Sequence, residues 1–150
     1  MDTQLVFPGL AGLYAILGSI ADPLLRITVG AFLLPHGGQK LFGWFGADIA
    51  HERSQFEQIG LKPGEAWVVF IGVVQFFGGI LLVLGLLTRP AALVVAICML
   101  GTAWFVTRHD GWFWHRHGME YSLFWAIAAL VVFCQGGGAF SLDGLIGREL

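Results

Sequence analysis

The stretch from Phe76 to Leu100, FFGGILLVLGLLTRPAALVVAICML, decides the class of fold. Its apolar residues run on without the polar alternation of a lipid-facing β-strand, so a closed transmembrane barrel does not fit. Thr88 and Arg89, followed by Pro90, break the tract into two apolar segments. A connection as short as TRP, Thr88 to Pro90, places those segments side by side and antiparallel.

A helix needs roughly 17 to 25 residues to cross the hydrocarbon core of a bilayer. Working outward from the TRP joint, four stretches have nearly that length: residues 23–43, 66–87, 90–106 and 119–135. The third is the shortest, and it reaches full length if Trp104 and Phe105 sit at headgroup level, where aromatic residues are favoured. The expected fold is all-α: a polytopic membrane protein, a four-transmembrane-helix bundle forming one domain over residues 1–150.

Composition agrees. The 150 residues are 57% apolar and 12% charged, against about 25% charged for a soluble domain, and mean hydropathy is +0.77. A formal charge of −2 with no basic run excludes a nucleic-acid partner. Cys98 and Cys134 form neither CxxC nor a zinc pattern, and their expected depths differ, so two buried free thiols are expected. The first Arg or Lys is Arg26, so residues 1–22 lack the basic start of a cleaved signal. Within them the apolar run to Ala21 is too short to span. It reads as an interfacial segment or a lead into the first span.

The polar tract from Phe45 to Trp67 joins the first and second spans. Ile49, Phe56 and Ile59 with charges between them suit a short surface helix stopped by Gly60. An even number of spans puts both termini on one side, here side A, with Arg26, Arg89 and Arg148. Side B carries Lys40, Arg53, Lys62, Arg108 and Arg116. The positive-inside rule taken literally makes side B cytoplasmic. Lys40 and Arg108 also fall where the bundle itself can hold them, so the orientation stays open.

An ionisable side chain in a span costs about 2.5 to 3.5 kcal/mol and needs a partner or a recess. Glu120 is expected to pair with Lys40 or Arg108, and Asp143 with Arg26 or Arg89, each pair stapling helix ends or, on side B, serving a site. At 100° per residue Arg26, Gly30, Leu33, Gly37 and Lys40 share a stripe. Gly72, Gln75 and Gly79 share another, so glycines allow close helix contact. Pro35 is expected to kink the first helix and turn His36, Gln39 and Lys40 into the side B end. The Gln75 amide either bonds a carbonyl across the helix pair or faces the same recess.

A recess of His36, Gln39, Lys40, Gln75, Arg108 and Glu120 with aromatic walls would offer a quinone head group donors for two carbonyl oxygens. A small anion would also suit its basic members. His109, His115 and His117 have the chemistry of metal ligands, but Trp112, Phe113 and Trp114 among them read as an interfacial aromatic belt, and no metal site is expected. Phosphate-cradling, triad and haem-attachment patterns are absent. Gly136 to Gly138 read as the stop of the fourth helix, with Ser141 capping a short C-terminal one.

Four motifs in order, LLR…G…HG.QKLFG.FG at Leu24 to Gly46, GG.LL.LGLLTR.AAL at Gly78 to Leu93, G.EYSL at Gly118 to Leu123 and G.FSLD at Gly138 to Asp143, resemble the DoxX family. The resemblance implies a small four-helix protein of the bacterial cytoplasmic (inner) membrane. Some members of that family are associated with membrane redox or oxidative-stress complexes. The family often carries Glu just before the paired glycines of the second span, where this chain has Gln75, so a proton-transfer role for that carboxylate is not expected here.

The expected function is therefore a redox-associated accessory subunit or quinone-interacting component of a membrane oxidoreductase complex, with partner subunits and membrane lipid around it. The alternative is a non-enzymatic structural, assembly or lipid-binding subunit. Small-solute transport fits less well, since no internal repeat or charge relay is present.

Overall fold

The computed structural model describes residues 6–107, 111–113, 115, 118–138 and 140–147. Its α-helices are α1 (Ala11–Phe42), α2 (Ile49–Gln58), α3 (Gly64–Leu84), α4 (Thr88–Gly101), α5 (Glu120–Gln135) and α6 (Leu142–Ile146). No strand occurs among the described residues. Three helical stretches, Pro8–Phe42, Gly64–Leu84 and Thr88–Phe105, are long and apolar enough to cross a membrane. The apolar α5 is shorter, at 16 residues.

α1 begins well before Pro23, so of the two readings of the N-terminal run the lead into the first span is the one observed from Ala11 on. The helix runs through both Pro23 and Pro35 to Gly43, which ends it with φ 67. A proline removes one helical hydrogen bond and crowds the preceding turn. Here Leu33 and Gly37, buried on either side of Pro35, hold both halves in the bundle, so the helix does not stop there. The buried residues of α1 are Arg26, Val29, Gly30, Leu33, Gly37 and Gly38, which include the expected stripe as far as Gly37.

That stripe packs on α3, the most extensive helix pairing in the molecule. A Cβ on Gly30 would stand 2.6 Å from the Gly79 carbonyl oxygen, and one on Gly79 would stand 2.8 Å from that of Gly30. At Gly37 an added Cβ would meet the Phe76 backbone nitrogen at 2.5 Å. Without a hydrophobic drive between helices in lipid, such backbone contact supplies the van der Waals energy of association. α4 and α5 meet through small faces as well, with Ala92 and Ala96 on one and Ala126 and Ala129 on the other, all fully buried.

The α3–α4 turn lies at Gly85 to Leu87, not at Thr88 to Pro90. Pro90 belongs to the first turn of α4, where a missing N–H costs nothing. Three charged side chains secure this end by capping backbone groups. Arg26, 1% exposed, donates to the Leu82 carbonyl at 2.6 Å, to Val83 at 3.2 Å and to Phe140 at 2.7 Å. Arg89 donates to the carbonyls of Phe133 and Cys134 at the end of α5.

Asp143 accepts from the backbone N–H groups of Leu87 and Thr88, each at 2.8 Å, at the start of α4. Burial alone would raise the Asp143 carboxyl, but the Thr88 and Leu87 N–H groups and the Arg26 charge outweigh it and hold the group below its ordinary 3.8. In place of the expected direct pairing of Asp143 with Arg26 or Arg89, the Arg26 charge acts on Asp143 across the turn, while the Asp143 carboxylate itself binds the start of α4 and Arg26 the end of α3 and the Phe140 carbonyl. Helix ends leave N–H and C=O groups without partners, and charges of matching sign satisfy them.

α2, capped by the Asp48 carboxylate accepting from the His51 N–H, packs on α3. α6 follows the Gly136–Gly138 break, and its Ser141 hydroxyl accepts from the Gly144 N–H at 3.0 Å. Both cysteines are free, Cys98 buried as expected and Cys134 exposed, contrary to expectation. Cys134 lies near the end of α5, on its exposed side.

Candidate functional site

The five described residues of the six expected to converge are not all brought to one place. Lys40, near the end of α1, meets Glu52 of α2 at 3.5 Å. Of the two partners expected for Glu120, Lys40 is thus engaged by a residue only twelve positions away, which α2 carries back over the bundle, and the other is Arg108, outside the described residues. Gln75 donates to the Met99 sulfur of α4 at 3.5 Å, and among the described residues its buried Oε1 meets no donor. It bonds neither a backbone carbonyl nor His36. Arg108 lies outside the described residues, as do His109, His117 and Trp114. Trp112 and Phe113 are exposed, and His115 stacks on Phe113.

His36 and Glu120 do reach a common place, the seam between α1 and α5. The helices meet there less closely than along the α1–α3 or α4–α5 pairings. His36 Nε2 and Tyr121 Oη share a hydrogen bond of 2.9 Å across the seam. The half-buried Gln39 lies beside His36 on the next turn. Tyr121 packs edge-on against Trp125, ring centroids 5.9 Å apart, and Trp125 lies 5.4 Å from Phe32 of α1. Glu120 opens α5, and beside the seam, against α5 and Trp112, lies a recess of about 690 Å³ lined by Trp112, Glu120, Tyr121, Leu123, Phe124 and Ile127; Tyr121 is the residue that borders both recess and seam. Flat aromatic walls with a few polar groups at one end have the make-up of a small-molecule site.

Sequence reasoning did not single out Tyr121, Trp125 or Phe32. The signal was present in EYSLFW, Glu120 to Trp125, where Tyr121 and Trp125 stand four apart on one helical face. A second recess, about 320 Å³, lies between α3 and α4 beneath α2. Its walls include Phe56, Trp67, Phe70 and Phe105, with Cys98 and Thr102 its only polar side chains. The Thr102 hydroxyl is taken by the Cys98 carbonyl, at 3.0 Å. Its borders include Gly101, Thr102 and Phe105, where α4 passes into a π-helical stretch over Thr102–Thr107.

The DoxX family model matches residues 21–108, from the first helix to the end of the π-helical stretch. The chain belongs to the DoxX family. An uncharacterized protein of Haemophilus influenzae is 31% identical to it over 122 residues, 79% of this chain and 85% of the relative. No solved structure matches it. With its three helices of spanning length and composition, this DoxX chain is a multi-pass membrane protein surrounded by lipid.

Proposed function

We propose that this DoxX-family chain is a four-span protein of the bacterial cytoplasmic membrane and a redox-associated accessory subunit that takes a membrane quinone at the α1–α5 seam. On this reading α1, α3, α4 and α5 cross the bilayer, α2 covers the side B end, and the arm from Val6 to Ala21, which carries no charged residue and is exposed throughout, lies in lipid at side A. The observation that carries the reading is the His36–Tyr121 hydrogen bond between α1 and α5, with Tyr121 also lining the recess that Glu120, Trp112 and Phe124 border. A quinone supplies a lipid-soluble carrier of two electrons and two protons, and partner oxidoreductase subunits supply the electrons. The chain's own residues hold the ring and present hydroxyl, imidazole and carboxyl groups at the mouth of the seam.

The reading is tested with the purified protein in lipid nanodiscs by titrating a short-chain ubiquinone. Saturable binding is expected for the wild type, weakened about tenfold in Tyr121→Phe, the loss of one hydrogen bond. Absence of saturable binding to the wild type overturns it.

A second reading, a structural or assembly subunit, is favoured by one observation: Arg26, Arg89 and Asp143 are all engaged in capping helix ends. On that reading substitutions along the seam leave complex assembly intact, and only those at the helix ends disturb it.

A further inference from the structure

We infer that Trp125 is the residue that recognises a ligand carbonyl at this seam, its indole N–H held ready for an oxygen acceptor. The inference rests on the quinone reading above and names the contact that fixes the ring. Trp125 is 7% exposed, and among the described residues no acceptor meets its Nε1–H. Burying an indole N–H without a partner is unfavourable, and buried Trp usually finds one. An orphan donor of this kind in a folded protein calls for an explanation.

Its ring neighbours are Phe32 of α1 at 5.4 Å, Phe124 at 5.4 Å and Tyr121 at 5.9 Å. Two of these are hydrocarbon rings, and the Tyr121 hydroxyl is already joined to His36. A water molecule needs two to four polar partners, and these neighbours offer it poor company. A carbonyl oxygen needs only the one donor, with its own ring flat against the aromatic walls. Tyr121 and Phe124, which flank Trp125, line the open recess while Trp125 itself stands behind them, so a planar ligand in the recess reaches the indole N–H when the exposed Phe124 ring swings aside. A para-quinone carries acceptors on opposite ring edges, so one carbonyl at Trp125 leaves the other toward the mouth.

The test compares wild type and Trp125→Phe, which keeps a ring and removes the donor, in nanodiscs titrated with a short-chain ubiquinone. The expected result is an affinity about tenfold weaker in the variant. Without quinone its melting temperature should equal or exceed that of the wild type, because the ligand-free protein loses no hydrogen bond. A merely structural tryptophan predicts the reverse pattern, lower stability with affinity retained. Equal quinone affinity in both proteins, with the Tyr121→Phe effect intact, overturns the inference and leaves the quinone reading standing. No binding to the wild type overturns both.

If Trp125→Phe does not fold, a chain keeping Trp125 and carrying Phe at the other five of its six tryptophans isolates one indole. Its ¹⁵N–H resonance should move downfield on adding quinone, as a hydrogen-bonded indole does. An unmoved resonance overturns the inference.

Discussion

At the scale of single residues, the polar side chains divide into those that satisfy backbone and those left with unused capacity. Asp143 belongs to the first group. Replacing it with Ala leaves two N–H groups at the start of α4 without their acceptor, at a cost of about 2 to 3 kcal/mol, read as a lower melting temperature in detergent. The pH dependence has a definite sign. A carboxyl held below 3.8 in the folded state contributes stability at neutral pH and down to about pH 4, lost as pH falls through its folded value. Asp143→Asn should flatten that acid limb, and an unchanged limb would contradict the assignment.

Gln75 belongs to the second group. Its Oε1 is buried without a donor and its amide nitrogen has only a thioether. Gln75→Leu, of similar volume, is therefore expected to keep or raise the melting temperature and to leave quinone binding unchanged. The sequence marked Gln75 as noteworthy because a mid-helix amide stands out. Its partner, the Met99 sulfur, was not legible, since nothing in a single sequence sets the rotation of α4 against α3.

At the scale of elements, the α1–α3 pair is the structural axis, and glycine spacing made it legible. Gly30 and Gly37 repeat at seven, as do Gly72 and Gly79; Gly30 and Gly79 face each other at backbone contact, Gly37 meets the Phe76 backbone, and Gly72 lies against the Lys40 and Leu41 side chains. Gly30→Ala is expected to push the helices apart and cost about 1 to 3 kcal/mol, since its new Cβ meets backbone that cannot move aside. Gly12→Ala, on the same helix with nothing within 4 Å, is the control and should be neutral or slightly stabilising. Comparable melting temperatures for the two variants in nanodiscs would contradict the packing argument.

The extent of α1 was harder to see. Taken from Pro23 the span looked complete, and the apolar run before it too short to stand alone. A proline ends a helix only when nothing else holds both sides, and α3 and α5 do that here: Gln135 of α5 donates to Asp22 at 2.8 Å, next to the proline. On side B, depth matched Glu120 to Lys40 or Arg108. α2 folds back and gives Lys40 a nearer partner in Glu52, while Arg108 lies outside the described residues.

At the scale of the whole molecule, the all-helical membrane class followed from the composition and the unbroken apolar tracts, and the DoxX assignment from four ordered motifs now supported by the family match. The candidate site was legible only in part. Depth along a helix can be counted from sequence, and it brought His36 and Glu120 to one end. Rotation about the helix axis decides which side chains converge: it turned Gln75 to Met99 of α4 and Lys40 to Glu52 of α2, while bringing Tyr121, Trp125 and Phe32 together.

The most direct measurement is to isolate the chain from native membranes in mild detergent and identify by mass spectrometry the quinone and the proteins that accompany it. The account predicts stoichiometric quinone together with oxidoreductase subunits, the quinone lost in a Tyr121→Phe, Trp125→Phe variant that still folds. A preparation carrying phospholipid alone, identical for wild type and variant, would contradict it.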